Sequence, residues 1–334
     1  MQEERKTFFV PLPISHKGKG EVKMEKFRKT CRNEYKIHKS KNRYGLEHFP
    51  TCNNLHHSDK FLMLGPFHIE IVRYEPYRIM IHDFFSDFEV EWVKTYSSSS
   101  LSTVRDDDIS FKKSTYKEKL YDKFRVVGKA VQTWINDLTY TEKSEFISRT
   151  KENGVVMYEQ LEIKDKYSYN VVQEILLRIS RRIEYATLMN ITSRWGASSY
   201  QVTQYGLAGM VECHLDPFGY ESDAPLDYKH HELVASGDYI ATFMGWMNNV
   251  QAGGATGFTF DDYESAMKPK KGSAVFWINL DAAHWKDPRS THGGCPVLKG
   301  TKWILNKWIF SFDQWKKFPC STHEYHPIFP FEQT

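Results

Sequence analysis

This sequence predicts an α+β fold, helices followed by an antiparallel sandwich or jelly roll, and three observations carry the prediction. From Ser199 onward, short β-type runs alternate with turn residues, and no helical spacing intervenes. Upstream, three stretches carry apolar residues at helical spacing. Aromatic residues make up 15% of the chain, many of them in its last third, which favours strands there.

In chain order, residues 1–60 read as a basic, irregular extension. Lys17, Lys19, Lys23, Lys26, Arg28, Lys29 and Arg32 crowd together without a sustained apolar period, and a solvated charged face explains them better than a nucleic-acid arm. Alternation from Phe67 to Met80 predicts two short strands turning near Pro76. Asp83 to Lys94 predicts a helix with Ser86 or Asp83 as N-cap, and Ser97 to Asp108 a Ser- and Asp-rich loop. Helical spacing returns over Tyr116 to Ile135 and Val171 to Tyr185, separated by a polar, charge-rich insertion at about 139–169. The strands then follow as SYQVTQYG, GDYIATFMGWMN, GGATGFTF, GSAVFWINL and TKWILNKWIFSF, each bounded by Gly, Pro, Asn or Asp.

With 334 residues and 40% hydrophobic content, the chain can bury a sizeable core in one large domain or two modest ones. A net charge of +3 argues for no global field toward nucleic acid or membrane. No apolar run approaches the roughly 18 residues of a membrane span. Met1 to Gly20 carries an apolar patch broken by Pro11 and Pro13, too short for a secretory leader. Either the chain is cytosolic, or this start is not that of the precursor. The five cysteines form no CxxC, so a structural zinc site is not expected, and an odd number leaves one thiol free if the others pair. The one glycosylation sequon, Asn190-Ile191-Thr192, carries little weight.

The chemistry concentrates in His214-Leu215-Asp216 and in His292, which stands ten residues before Lys302. On a strand, residues two apart point to one face, as chelation of one ion requires. Alone, such a pair more often just shares a solvated face. Two imidazoles and a carboxylate on one side of a metal leave positions open for O₂ and a co-substrate, the arrangement of non-haem Fe(II) oxygenases. Period two puts Lys302, Ile304, Asn306 and Trp308 on one face of their strand. A lysine facing a barrel interior is costly unless it meets an anion, whereas a lysine at a wet strand end snorkels outward. Thr242 shares a face with Ile240, Met244 and Trp246, and its hydroxyl either joins Lys302 at that anion or simply fills a strand.

These residues sit within ordered motifs: QVTQYG, HLD, GDYIATF, AGGATGF at 252–258, KPKKGSAVFW at 268–277, HGGCPVLKGTKW at 292–303 and NKW at 306–308. Together they resemble the catalytic region of the collagen-type prolyl 4-hydroxylase α subunit, a 2-oxoglutarate- and Fe(II)-dependent dioxygenase, and the resemblance covers about 61 to 320. It implies a double-stranded β-helix, or jelly-roll, catalytic core with supporting N-terminal helices, spanning 61–334. It implies iron ligation by His214, Asp216 and His292, and a grip by Lys302 on the distal carboxylate of 2-oxoglutarate. Thr242 and Tyr205 match positions lining that pocket, and Trp308 a tryptophan near the metal. Lysine at 302 favours the collagen-type branch over relatives that use arginine. The activity implied is hydroxylation of C4 of peptidyl proline in collagen-like sequences, with release of succinate and CO₂ and with L-ascorbate rescuing oxidised iron. A non-catalytic binding or assembly protein, or a dioxygenase of another peptide, is the alternative.

By the same likeness, disulfides Cys31–Cys52 and Cys295–Cys320 are expected, with Cys213 free, and the endoplasmic reticulum lumen is the expected compartment, the cytoplasm the alternative. Protein disulfide isomerase or another α-type subunit is the partner implied, although the family's helical dimerisation and peptide-binding repeat segments have no match here. Departures lie on the peptide side. Val211 stands where relatives carry an aromatic, Tyr239 where they carry arginine, GGATGFTF replaces GGATVFP, and the 139–169 insertion has no recognised counterpart.

Overall fold

The computed structural model describes residues 19–32, 40–41, 47–48, 51–98, 101–103, 126–127, 130–135, 166–193, 195–217, 237–259 and 265–320. The elements are α1 (Lys19–Cys31), β1 (Ser40–Lys41), β2 (Glu47–His48), β3 (Thr51–Leu55), α2 (Lys60–Leu64), β4 (Phe67–Tyr74), β5 (Tyr77–His82), α3 (Asp87–Ser98), β6 (Ser102–Thr103), β7 (Val126–Val127), β8 (Ala130–Ile135) and α4 (Lys166–Thr187). There follow β9 (Tyr200–Tyr205), β10 (Met210–His214), β11 (Tyr239–Trp246), β12 (Ala252–Gly253), β13 (Thr256–Phe258), β14 (Ser265–Met267), β15 (Ala274–Ile278), β16 (His292–Gly294), β17 (Val297–Lys299) and β18 (Lys302–Phe310).

Two antiparallel sheets form the core. The larger runs β3-β4-β5-β15-β11-β18-β9-β8-β6 and the smaller β14-β13-β16-β10-β7. Alternation along the strands explains how they stack. On β15, Ala274, Phe276 and Ile278 face an outer core shared with α3 and α4, where Val90, Val93, Leu176, Ile179 and Ile183 are buried. Val275 and Trp277 face inward, meeting Met244, Trp246 and Ile304 of the same sheet and Phe258 and Met267 of the smaller one. On β18, Trp303, Leu305 and Ile309 lie in the outer core while Ile304 lies in the inner one, so Lys302 opens the inner face. This is the jelly-roll architecture, with the helices backing one sheet.

Residue by residue, several expectations shift. Ser86 caps α3, its hydroxyl accepting from the Glu89 amide while Glu89 accepts from the Ser86 amide at 2.9 Å, a reciprocal capping box. The expected loop at 97–108 gives way to the last turn of α3 and to β6, and its remainder lies outside the described residues. The helix expected over Tyr116 to Ile135 is corrected, because Ala130–Ile135 is a strand paired with β9. Its β-branched and aromatic residues fit a pleated surface, and pairing with β9 overrides the helical spacing of the longer stretch. Within the expected irregular extension, Lys19–Cys31 is helical and Thr51–Leu55 joins the larger sheet beside β4. Of the 139–169 insertion, only residues 166–169 are described, as the start of α4. Ile240 lies in the outer core rather than beside Thr242, because a register shift between Tyr239 and Ala241 interrupts the alternation of β11.

Both expected disulfides are corrected. Cys31 bonds Cys295, Cys52 and Cys320 are free thiols, and the Cys213 sulfur meets the Thr259 hydroxyl at 3.4 Å. The reason is topological: α1 packs on the smaller sheet, so its last residue meets the chain just past β16, whereas Cys52 lies on β3 at the edge of the larger sheet. No described helix is long and apolar enough to cross a membrane.

Arg182 on α4 forks onto buried Glu89 of α3, with contacts of 2.9 and 2.8 Å, and so ties together the two helices behind the larger sheet. Burial opposes the charge on Glu89, but Arg182 and Ser86 outweigh it and hold the carboxyl below its ordinary value of 4.5. Glu89→Ala should therefore destabilise the fold by about 2–3 kcal/mol in chemical denaturation, somewhat below the range for a fully buried pair because Arg182 is partly exposed. Because the folded pKa is depressed, that contribution is present above about pH 4.5 and is lost as pH falls through the lowered value. A denaturation midpoint unchanged by the substitution would contradict this role.

Candidate metal centre and its anion pocket

Strand pairing builds the centre. β10 and β16 run antiparallel in the smaller sheet with His214 directly opposite His292, and the two rings stand 4.6 Å apart. Each imidazole is oriented by its own backbone. Nδ1 of His214 meets the Glu212 carbonyl at 2.8 Å and Nδ1 of His292 meets the Ser290 carbonyl at 3.0 Å. A carbonyl only accepts, so both Nδ1 atoms carry the proton, which makes Nε2 the nitrogen of each ring suited to ligate a cation.

Asp216 completes the set, although not by strand parity, since β10 ends at His214 and Asp216 lies beyond it. A relay from the larger sheet holds it there. Asn279 donates from Nδ2 to the Thr242 hydroxyl at 2.7 Å, and Thr242 donates to Asp216 Oδ2 at 2.5 Å, with all three side chains buried. That leaves Oδ1 facing the histidines, 3.4 Å from His214 Nε2 and 3.7 Å from His292 Nε2. Donors about 2.1 Å from a shared ion, at roughly right angles, lie about 3 Å apart, so a modest inward movement seats one cation among them. His214, Asp216 and His292 thus fit a single metal ion, with all their ligating atoms within 4.8 Å of one another. Thr242, expected in the co-substrate pocket, donates to this carboxylate.

The electrostatics suit a cation. Burial opposes ionisation of Asp216, but His292, His214 and the Thr242 hydroxyl hold its carboxyl well below the usual range. Burial pushes His292 down to about 4, against the pull of Asp216, so at neutral pH it stands uncharged and ready to ligate.

Lys302 defines a second pocket on the inner face. It is buried, its Nζ contacts Thr256 Oγ1 at 3.4 Å and stands 5.7 Å from the centre of the Tyr205 ring, and Tyr205 is its cross-strand partner on β9. Among the described residues no carboxylate forms an ion pair with it. A β-carbon placed on Gly294, two residues after His292, would lie 3.9 Å from Nζ, which sets the ammonium beside the histidine strand. Gly254, at a φ of +68°, lets the chain turn against the lysine stem. A buried ammonium with a single hydroxyl acceptor and no carboxylate among the described residues is a receptor for an anion.

Trp308, at the far end of the same face of β18, pairs in register with Thr242 and stacks on Tyr239 with centroids 5.7 Å apart. The structure therefore gathers His214, Asp216, His292 and Thr242 in one cluster and Lys302 with Tyr205 in a second, and puts Trp308 beside the strand that anchors Asp216. Sequence reasoning missed Thr256, Asn279 and Arg78. Arg78 is buried, its guanidinium carbon 3.3 Å from the centre of the Phe258 ring, and Phe258 packs on His292 at 5.5 Å. Thr256 and Asn279 could have been found as polar residues within the GGATGF and AVFWIN strand motifs. Arg78 gave no signal beyond an ordinary charged strand residue.

The pocket makes a titration prediction. Burial pulls Lys302 down to about 7, so without an anion it loses its proton above neutrality. A bound carboxylate restores the charged form. Binding of 2-oxoglutarate to the metal-loaded protein should then take up protons between about pH 7 and 10.5 and weaken as pH rises through that window. Calorimetry in buffers of different ionisation enthalpy measures the uptake, and Lys302→Ala should abolish it. Proton uptake that persists in that variant would contradict the assignment.

Residues 200–310 match the 2OG-Fe(II) oxygenase superfamily. The chain is 28% identical over 271 residues to prolyl 4-hydroxylase subunit alpha-3 of Bos taurus, an alignment covering 81% of this chain and 40% of that protein. It is 38% identical over 150 residues to prolyl 4-hydroxylase subunit alpha-1 of Gallus gallus, covering 45% of this chain and 27% of the relative. The chain thus spans two fifths or less of the length of these two relatives. Among solved structures, the viral collagen prolyl hydroxylase of Paramecium Bursaria Chlorella virus-1 in its 2OG complex aligns at a TM-score of 0.40 and 20% identity, covering 70% of this chain and 95% of that one. Over residues 200–310 the chain is thus similar to the 2OG-Fe(II) oxygenase superfamily, and over a longer stretch to the prolyl 4-hydroxylase α subunits.

Proposed function

We propose that this protein hydroxylates C4 of peptidyl proline, consuming O₂ and 2-oxoglutarate and releasing succinate and CO₂, with collagen-like sequences as its substrate class. The observation that carries the reading is the pairing of two buried sites between the two sheets. One is a bis-imidazole and carboxylate set for a cation, and the other a buried ammonium for an acid. Bound Fe(II) and 2-oxoglutarate would supply the oxidising chemistry. The chain's own groups do the rest. His214, His292 and Asp216 hold the ion, Thr242 and Asn279 fix which carboxylate oxygen faces it, and Lys302 with Thr256 receives the distal carboxylate of the acid. The inner apolar wall of Met244, Trp246, Trp277 and Ile304 excludes water.

The stacked Tyr239 and Trp308 rings lie at the metal end of β11 and β18, and they supply a flat apolar surface suited to a proline ring. Ascorbate as the reductant that restores Fe(II) belongs to the same proposal, as does a place in the endoplasmic reticulum lumen. The Cys31–Cys295 bond supports the lumen, because disulfides persist in oxidising compartments.

A peptide of repeated Pro-Pro-Gly, incubated with the protein, Fe(II), 2-oxoglutarate and ascorbate, should gain the mass of one oxygen per hydroxylated proline. His214→Ala should abolish the gain. Succinate production with no oxygen on any prolyl peptide would overturn the substrate class and leave the co-substrate assignment standing.

A further inference from the structure

The helix α1, from the stretch that reads as an irregular basic extension, lies across the outer face of the sheet that carries both metal histidines, packed against β10, β13 and β14. Its Phe27 is fully buried. The ring occupies space that two glycines leave open. A β-carbon on Gly293 would lie 2.8 Å from Phe27 Cζ and 2.8 Å from the Val211 carbonyl, and one on Gly257 would lie 3.4 Å from Phe27 Cε2 and 3.1 Å from Thr30 Cγ2. Gly293 follows His292, and neighbours on a strand face opposite ways. Phe27 therefore presses on the backbone of β16 directly behind the inward-facing His292.

Met210 of β10, four residues before His214, joins Phe27, Ala255 and Cys295 in the same small apolar cluster. The end of the helix is then fastened covalently, Cys31 to Cys295, three residues beyond His292. Two independent features, a ring seated on glycine backbone and a covalent bond, converge on the backs of β10 and β16.

We propose that α1 is a covalently latched back-plate for the metal-bearing sheet, with Phe27 and Cys31 as positioning residues for His214 and His292, so that metal retention depends on the redox state of the Cys31–Cys295 bond. The inference rests on the metal reading of the His214, Asp216 and His292 cluster. Opening the latch needs a reductant. A trialkylphosphine takes up the bond as its phosphine oxide, with the oxygen and two protons drawn from water, and leaves Cys31 and Cys295 as thiols.

The test is a Co(II) titration followed by visible absorption, at a temperature well below melting, with far-UV circular dichroism as the check on folding. Oxidised wild-type protein should bind one Co(II). The same folded protein, reduced with the phosphine and freed of it anaerobically, should bind roughly tenfold more weakly, the scale seen when an outer support of a metal ligand is lost. Cys31→Ser should match the reduced protein with no further response to phosphine, and Phe27→Leu should fall between. Cys52→Ser, an exposed thiol, should behave as wild type. Equal affinity in the oxidised, reduced and Cys31→Ser proteins overturns the latch while leaving the metal site in place. No Co(II) binding by oxidised wild type overturns the metal reading itself, and the latch with it.

Discussion

The antiparallel pairing of β10 with β16 sets His214 opposite His292, and the remaining features of the site are arranged around that register. A slip of either strand by one residue would send its imidazole to the outer face and break the pair. Phe27 behind Gly293 and the bond at Cys295 back one of the two strands, and Met210 packs the other into the same cluster. From the opposite side, Asn279 on the turn after β15 and Thr242 on β11 reach across to the chain just past β10 and hold Asp216. The metal cluster is therefore a joint between the two sheets, with the larger sheet supplying the orientation of the carboxylate and the smaller one the imidazoles.

Two opposite charges sit in this dry interior for different reasons. Asp216 is stabilised by a hydroxyl and by its histidines, so it is ready before a cation arrives. Lys302 has only the Thr256 hydroxyl and the face of Tyr205, and burial works against its charge. An incompletely satisfied buried cation costs stability, and it becomes favourable only when a carboxylate fills the pocket. In the function proposed above, the co-substrate relieves that cost, and affinity for the acid is tied to the protonation of a single side chain.

Much of this was legible in the sequence, and what was not has a common physical cause. The alternation of TKWILNKWIF separates inner Lys302 and Ile304 from outer Trp303 and Leu305, because a strand between two cores must present two apolar faces with its functional residue on one. The capping box at Ser86 and the long helix around Val172 to Ile183 are local signals of the same kind. Asp216 escaped the parity argument because it stands past the end of β10, where a hydroxyl distant in sequence holds it. The bond between Cys31 and Cys295 closes a sequence separation of 264 residues and depends on where α1 packs, which no local pattern encodes. Ile240 departs from its expected face at a bulge, and Ala130–Ile135 departs from its expected helix because it pairs with β9, a contact distant in sequence.

The most direct measurement is the conversion of 2-oxoglutarate to succinate by the wild-type protein and by His214→Ala, with and without added Fe(II). If His214, Asp216 and His292 hold the iron, succinate appears with the wild type only when Fe(II) is supplied, and the variant forms none above background. Succinate formed equally by both proteins would contradict the assignment of the centre.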